Sequence, residues 1–257
     1  DRIIHSKAFR QLKNKTQVFF SPEGDNYRTR LTHTLTVSQI ARSIACSLDL
    51  NENLAEAIAL GHDLGHTPFG HTGEKILDKF CPEGFRHNEQ SLRVVDVLEK
   101  DGKGLNLTFE VRDGILNHKI KMPSATIEGE IVSIADWIAY INHDIEDAVN
   151  AGLIREKDLP EKAVKILGVN SRDRINNMII SIYDNSKDKP HIKMSEDMFT
   201  ATKELRDFMF ANVYQNSLAQ KEEVKADRML TSMFEFYRKN KDELPEVYKK
   251  SLEKYTL

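Results

Sequence analysis

Val37, Ile40, Ala41, Ile44 and Leu48 stand at i, i+3, i+4, i+7 and i+11. That spacing draws one apolar stripe down a helix of about 3.6 residues per turn. The pattern resumes at Leu54, Ile58 and Leu60 after "DLNEN", whose Asp and Asn residues suit a turn and a helix N-cap. A longer helix is expected over "GEIVSIADWIAYINHDIEDAVNAG", residues 129–152, stopping at Gly152. Further helices are expected around 88–99, 161–168, 171–183, 196–218 and 221–238. Strand signals are weak. "TQVFF" (16–20) and "LNLTFE" (105–110) are the candidates, enough for a small hairpin-like accessory. "SPEGDN" (21–26), "CPEG" (81–84), "KDGKG" (100–104) and "NSKDKP" (185–190) read as loops. The expected fold class is therefore all-α. Residues 1–150 form its core and 151–257 a helical C-terminal extension packed on that core as one structural unit.

Composition narrows the function classes. A chain of 257 residues, 40% hydrophobic and 30% charged, can build a substantial core without disulfide or metal staples. A net charge of −3 argues against a dedicated nucleic-acid binder. The two cysteines, Cys46 and Cys81, share no close spacing, so a reducing, cytoplasmic setting is expected rather than a disulfide framework. No apolar run reaches the length a membrane helix needs.

Chemistry concentrates in "AIALGHDLGHTPFGHTGE", residues 57–74, where an apolar helical run ends in His62-Asp63 and His66, His71 and Glu74 follow. Neighbouring residues lie about 100° apart on a helix, so His62 and Asp63 can share one ion placed near their common edge. Imidazole nitrogen with carboxylate oxygen suits Mg²⁺, Mn²⁺ or another first-row divalent ion. Two further donors are available. His33 sits one turn ahead of the stripe that begins at Val37, and Asp136 is a lone carboxylate within "SIADWIAY", where it needs a partner. Four donors on three helices would make an open site rather than a closed structural one. On the helix of Asp136, a polar stripe of Asp136, Tyr140, His143 and Asp147 opposes Ile134, Ile138, Ile141 and Ile145. "HDLGH" also approximates the metalloprotease pattern H-E-x-x-H. That pattern needs one continuous helix, which Gly65, Pro68 and Gly70 interrupt.

With these residues in view, the chain resembles the HD-domain phosphohydrolases, whose ligands follow H…HD…D, here His33, His62-Asp63 and Asp136. More narrowly it is similar to the deoxyguanosine triphosphate triphosphohydrolase family. The matching stretches are "DRIIHSKAFRQLKNKTQVF" (1–19), "RTRLTHTLTVSQIAR" (28–42), "GHDLGHTPFGHTGE" (61–74), "FRHNEQSLRV" (85–94), "LTFEVRDGILNH" (107–118) and "EGEIVSIADWIAYINHDIEDA" (128–148). The resemblance implies a mostly helical, dimer-based or hexameric homo-oligomer that hydrolyses a dNTP to deoxynucleoside and inorganic triphosphate. It implies one divalent metal per site, on His33, His62, Asp63 and Asp136, and a dNTP as a candidate allosteric partner. It matches His71 and Glu74 to a catalytic His and acid, and His66 and His87 to residues facing the α-phosphate. Arg30 matches a phosphate contact, Gln11 a reader of the sugar 3′ side, and Tyr140 and Asp144 sugar contacts. One departure is Trp137, where some relatives carry a phosphate-binding Lys. Arg10, Lys13 or a C-terminal Arg or Lys must then meet the phosphate charge.

Residue chemistry agrees with such a reaction. Phosphoryl transfer needs charge neutralisation, an in-line nucleophile and a proton route to the leaving oxygen, and histidine beside a carboxylate can move that proton. His5, His118 and His191 read as structural or surface residues, and His143 has no assigned part. Other readings are a different HD phosphohydrolase acting on nucleoside monophosphates or cyclic dinucleotides, and a regulatory nucleotide-binding protein with a residual site.

Overall fold

The computed structural model describes residues 1–17, 28–120, 122–214, 217–246, 248–249 and 252. Among them the fold is helical throughout, without a strand. Thr16 makes only an isolated bridge to Thr29; the rest of the strand expected at 16–20, from Val18 on, and the loop at 21–26 lie outside the described residues. The second strand candidate is corrected. Leu105–Thr108 forms no strand, Asn106 within it takes φ 51°, and a helix begins at Phe109.

Eleven α-helices of five or more residues order the described chain: α1 Lys7–Gln11, α2 Arg30–Ser47, α3 Glu52–Gly61, α4 Gly70–Phe80, α5 His87–Arg93, α6 Phe109–Leu116, α7 Ile127–Asn150, α8 Glu161–Leu167, α9 Ser171–Ser186, α10 Glu196–Met209 and α11 Ser217–Lys239. Their starts are written in the sequence. Thr29 caps α2 in a reciprocal box with Thr32, and Asn51, Thr126, Asn170 and Ser195 cap α3, α7, α9 and α10 through their side chains. Each such cap satisfies a backbone N–H that the helix itself cannot. Helix α7 stops at Asn150, and Gly152 beyond it takes φ 67°, a conformation that favours glycine.

The periodic stripes are buried as expected. Val37, Ala41 and Ile44 of α2 pack against Ala55, Ile58 and Ala59 of α3 and Ile131, Ile138, Ile141 and Ile145 of α7, with Leu48 partly buried beside them. The same cluster continues through Met178 and Ile182 of α9 and Leu205, Met209 and Val213 in and beyond α10. A second cluster gathers Phe9, Leu12, Leu60, Leu64, Val95, Leu105 and Ile115. Helices α2, α3 and α7 thus touch one another pairwise, and their polar residues converge along one end of the apolar seam.

One glycine fixes how closely the next layer approaches. A Cβ on Gly65 would lie 2.2 Å from the Ser91 backbone nitrogen and 2.5 Å from the His87 carbonyl oxygen, so the turn after α3 presses directly on the α5 backbone. Ser91 stitches the contact, its Oγ accepting from the Gly65 N–H at 2.8 Å and donating to the His62 carbonyl at 2.7 Å. Gly65→Ala therefore forces α5 away. It should cost about 1–3 kcal/mol, read as a Tm fall of roughly 2–4 °C per kcal/mol in thermal melts; an unchanged Tm would show that the two segments have slack.

Candidate active site

Helix α3 ends at Gly61, and His62–Gly65 leaves it as a turn. No continuous helix carries His62 and His66, so the metalloprotease geometry is absent. From its Gly and Pro residues, "LGHTPFGHTGE" (64–74) reads as one turn leaving the helix, and this is corrected. The turn is short, Phe69 and Gly70 take positive φ, and α4 begins at once. His71 and Glu74 stand one turn apart on its first residues, with Ile76 buried beneath them.

Asp63 is the centre of the cluster. Its Oδ2 accepts from Arg30 Nη1 at 2.7 Å, and its Oδ1 lies 3.4 Å from His62 Nε2 and 3.3 Å from His66 Nε2. Burial opposes its charge, but His62, His66, Arg30 and His33 outweigh that and hold the carboxyl well below the usual carboxylate range. His33 Nε2 is 3.0 Å from Asp136 Oδ1, the partner that the lone carboxylate required. Burial would raise Asp136 too, yet the hydrogen bond from His33 brings it down to about 2.

His62 provides a test of metal fit. Its Nδ1 lies 2.7 Å from the Ala59 carbonyl, which can only accept, so the proton sits there and Nε2 carries a lone pair. That Nε2 is buried without a hydrogen-bond partner and faces Asp63 Oδ1 and, at 3.7 Å, Asp136 Oδ1. A lone pair facing two carboxylates is repulsive unless a cation joins them. Donor atoms of His33, His62 and Asp63 lie within 4.8 Å of one another, and the mixed N/O set suits a divalent ion.

Glu74 organises a second group. Its Oε2 is 3.2 Å from His71 Nδ1 and 2.9 Å from His87 Nδ1, and its Oε1 accepts the His87 backbone N–H at 2.9 Å. Burial works against its charge, but the His71 and His87 hydrogen bonds keep it ionised. His66 stacks on His87 with ring centroids 3.8 Å apart. Burial, then Arg30, lowers His66, and burial lowers His87 against the pull of Glu74.

These groups line one cavity of about 1080 Å³, at the upper end of the roughly 300–1,000 Å³ usual for small-molecule sites. Arg30, His33, Asp63, His66, His71, Glu74, His87, Asp136, Tyr140 and Asp144 all reach it. Gln11 does not. It is exposed at the end of α1, whose buried side is Ala8 and Phe9, and Gln17 lines the cavity instead. Arg10 and Lys13 are likewise exposed and away from it, whereas Lys203 and Arg206 of α10 line it.

Comparison with known proteins agrees with the geometry. The HD domain family matches residues 30–141, and the Phosphohydrolase-associated domain matches 192–256. A deoxyguanosinetriphosphate triphosphohydrolase-like protein from Caldanaerobacter subterraneus subsp. tengcongensis is 56% identical over 99% of this chain and 75% of its own length. One from Clostridium perfringens is 50% identical over 97% and 75%. The chain belongs to this deoxyguanosinetriphosphate triphosphohydrolase-like family of HD-domain phosphohydrolases. Its fold is also that of a crystallised hypothetical protein from Aquifex aeolicus, with a TM-score of 0.60 and 22% identity over 90% of this chain and 60% of that one. No helix among the described residues is long and apolar enough to cross a membrane, and Cys46 and Cys81 are free thiols.

Against the family's site, this chain shows residues that its motifs do not announce. His118, read from sequence as structural or surface, is buried in the cavity, with its ring 5.1 Å from that of His62. The signal was there. His62 and His118 each follow an apolar helix end and bond the carbonyl three residues back, Ala59 and Ile115. On α7 the cavity receives Asp136, Trp137, Tyr140 and Asp144. His143 lies behind them with its Nδ1 3.4 Å from His33 Nδ1, and Asp147 is half-buried outside the lining. The expected polar stripe is thus turned by one residue, because α7 is buried on both sides. Tyr214 reaches back from beyond α10 to hydrogen-bond Asp144.

Lys15 supports the cluster from below, donating from Nζ to the Leu64 carbonyl at 3.2 Å. Burial, and then Arg30, lowers its pKa from 10.5 to about 8. Between these values the unfolded chain holds the Lys15 proton and the folded chain does not, so the Lys15 contribution to stability should rise with pH from about 8 to about 10.5. Urea unfolding across that window should give the wild type a more positive slope of stability against pH than Lys15→Met; equal slopes would refute the assignment.

Proposed function

We propose that the protein hydrolyses deoxynucleoside triphosphates between the 5′ oxygen and the α-phosphorus, giving deoxynucleoside and inorganic triphosphate. The observation that carries the reading is the make-up of one cavity. It joins the His33, Asp63 and Asp136 donors and the His71–Glu74–His87 group to Lys75, Lys119, Lys203 and Arg206, and to the aromatic rings of Trp137, Phe199, Phe210 and Tyr214. Cations suit a triphosphate, and ring faces suit a base. The choice of bond follows the family and the names of its members.

The residue roles are those the family resemblance implies, and the gathering of most of these residues around one cavity supports them. His33, His62, Asp63 and Asp136 would hold one divalent ion, Mg²⁺, Mn²⁺ or another first-row metal. Such an ion supplies positive charge to a phosphoryl oxygen and acidifies water. Arg30 has one guanidinium nitrogen on Asp63, while its buried Nε has no protein partner, leaving a donor for an α-phosphate oxygen. His66 and His87 face the same phosphate. His71 holds its Nδ1 toward Glu74, so its Nε2 is the atom to pass a proton to the leaving 5′ oxygen. Tyr140 and Asp144 take the sugar, with Tyr214 fixing Asp144; Gln11, outside this cavity, would read the 3′ side only after a shift of α1. We read residues 1–150 and 151–257 as one working unit, since one apolar cluster crosses that boundary. We also read the protein as a cytoplasmic homo-oligomer, a reading that the family resemblance supports.

A panel of the four dNTPs with Mn²⁺ or Mg²⁺ should release triphosphate, and chelation should abolish the release. Pyrophosphate or orthophosphate alone would overturn the bond assignment, and turnover only of monophosphates or cyclic dinucleotides would favour another HD reaction. His71→Ala should lower kcat by about 10²–10⁴-fold while nucleotide binding persists.

A further inference from the structure

Besides its histidines, the cavity is lined by five cationic side chains among the described residues: Arg30, Lys75, Lys119, Lys203 and Arg206. Three of them already have an acid. Arg30 holds Asp63 at 2.7 Å, Lys119 stands 3.7 Å from Glu74, and Arg206 bonds Asp207 through Nε and Nη2. Lys75 and Lys203 have no ion pair among the described residues. Their surroundings differ. Lys75 follows Glu74 on α4, and Thr72 of the same helix donates its hydroxyl to Glu223 of α11 at 3.2 Å. Glu222 and Glu223 line the cavity too, so a polyanion laid along α4 would meet three carboxylates. Lys203 is placed by rings instead. Phe199, one turn earlier on α10, sets its ring 5.2 Å from that of Trp137, and Arg206 follows on the same face. Burial, then the nearby acids, raise the Tyr140 hydroxyl and the Arg206 charge works against them, so Arg206 acts on Tyr140. Lys203 therefore lies between these two contacts, over the turn of α7 from Trp137 to Tyr140 that follows Asp136.

We propose that Lys203 reads phosphate-chain length, taking the terminal phosphate of a nucleoside triphosphate whose α-phosphate is held at Arg30. Arg30 is buried and Lys203 exposed, and both line one cavity, so they mark its inner and outer parts. A monophosphate seated at Arg30 ends short of Lys203, whereas a third phosphate carries negative charge outward to it. The absence of an acid partner matters here. A paired cation must share its charge between partner and ligand, while Lys203 keeps its full charge for the incoming phosphate. An ammonium on a flexible four-carbon stem also suits the loosely held end of such a chain. The use of this contact in turnover rests on the proposed dNTP hydrolysis; the contact itself is a matter of affinity.

Calorimetric titration of the full chain with inorganic triphosphate, and separately with orthophosphate, tests this without turnover. Lys203→Gln should bind triphosphate roughly 10–100-fold more weakly, the loss expected for one charge-assisted contact, and orthophosphate as the wild type does. Lys203→Arg should retain most of the triphosphate affinity. The side chain is exposed, so the variants should fold, which thermal melts check. Wild-type triphosphate affinity in Lys203→Gln would overturn the assignment, and so would a larger loss in Lys75→Gln. An equal loss for both anions would overturn it as well, since a general field does not read length. Failure of the wild type to hydrolyse any dNTP sinks only the proposed function. Hydrolysis together with an unaltered triphosphate affinity in Lys203→Gln sinks only this inference.

Discussion

The Asp63 carboxylate is the interaction on which the rest of the structure depends. It is buried, and an ionised carboxylate in an apolar interior is costly unless it is paired and hydrogen-bonded. Arg30 at the start of α2 gives it a direct charge partner at 2.7 Å, while His62 and His66 crowd its other oxygen. The arrangement works only if the first turn of α2 lies beside the last turn of α3. The apolar stripes of those helices, from Val37 to Ile44 and from Ala55 to Ala59, fix that alignment. Packing thus sets the electrostatics, and the electrostatics in turn select which helix ends come together.

Glu74 does for the outer part of the site what Asp63 does for the inner part. One carboxylate holds the side chains of His71 and His87 and a backbone N–H of α5. Helices α4 and α5 are thereby tied at the cavity by a group on α4 alone. The Gly65 contact ties α5 again, from behind, to the turn that carries Asp63. Two short covalent stretches and two hydrogen-bonded carboxylates are enough to set five histidine rings against each other, with centroids such as His66–His87 at 3.8 Å and His62–His118 at 5.1 Å.

Much of this was legible in the sequence wherever periodicity was strong. The α2 stripe, the α7 helix and its end near Gly152, and the break that separates His62 from His66 could all be read from spacing and from Gly and Pro. Helix α4 could not. "PFGHTGEK" carries turn residues, and only the left-handed backbone at Phe69 and Gly70, with Ile76 buried beyond it, turns it into a helix. "LNLTFE" misled because alternation in so short a run also fits an irregular lead into a helix. Gln11 followed a family pattern, while its side chain depends on which face of a five-residue helix is buried, a matter of tertiary packing. His118 was passed over for want of a motif, although an apolar helix ending in histidine is the very pattern that singled out His62.

Asp63 and Asp144, two of the acids that line the cavity, show that surroundings, not residue type, assign their parts. Asp63 is ringed by potential cations and stays ionised. Asp144 is equally buried, but its nearest polar partner is the Tyr214 hydroxyl, and burial pushes it up to about 7. Near neutral pH one carboxyl is therefore a fixed negative charge suited to cations, while the other is poised between donor and acceptor. A hydroxyl-bearing ligand can use such a group in either sense, accepting from it or donating to it. A polyanion would be repelled by a second fixed charge there. With the ionised acid among Arg30 and the histidines and the raised acid beside Tyr214, one cavity offers both a charged group and a hydrogen-bonding one. A nucleotide likewise combines charged phosphates with a sugar hydroxyl that hydrogen-bonds.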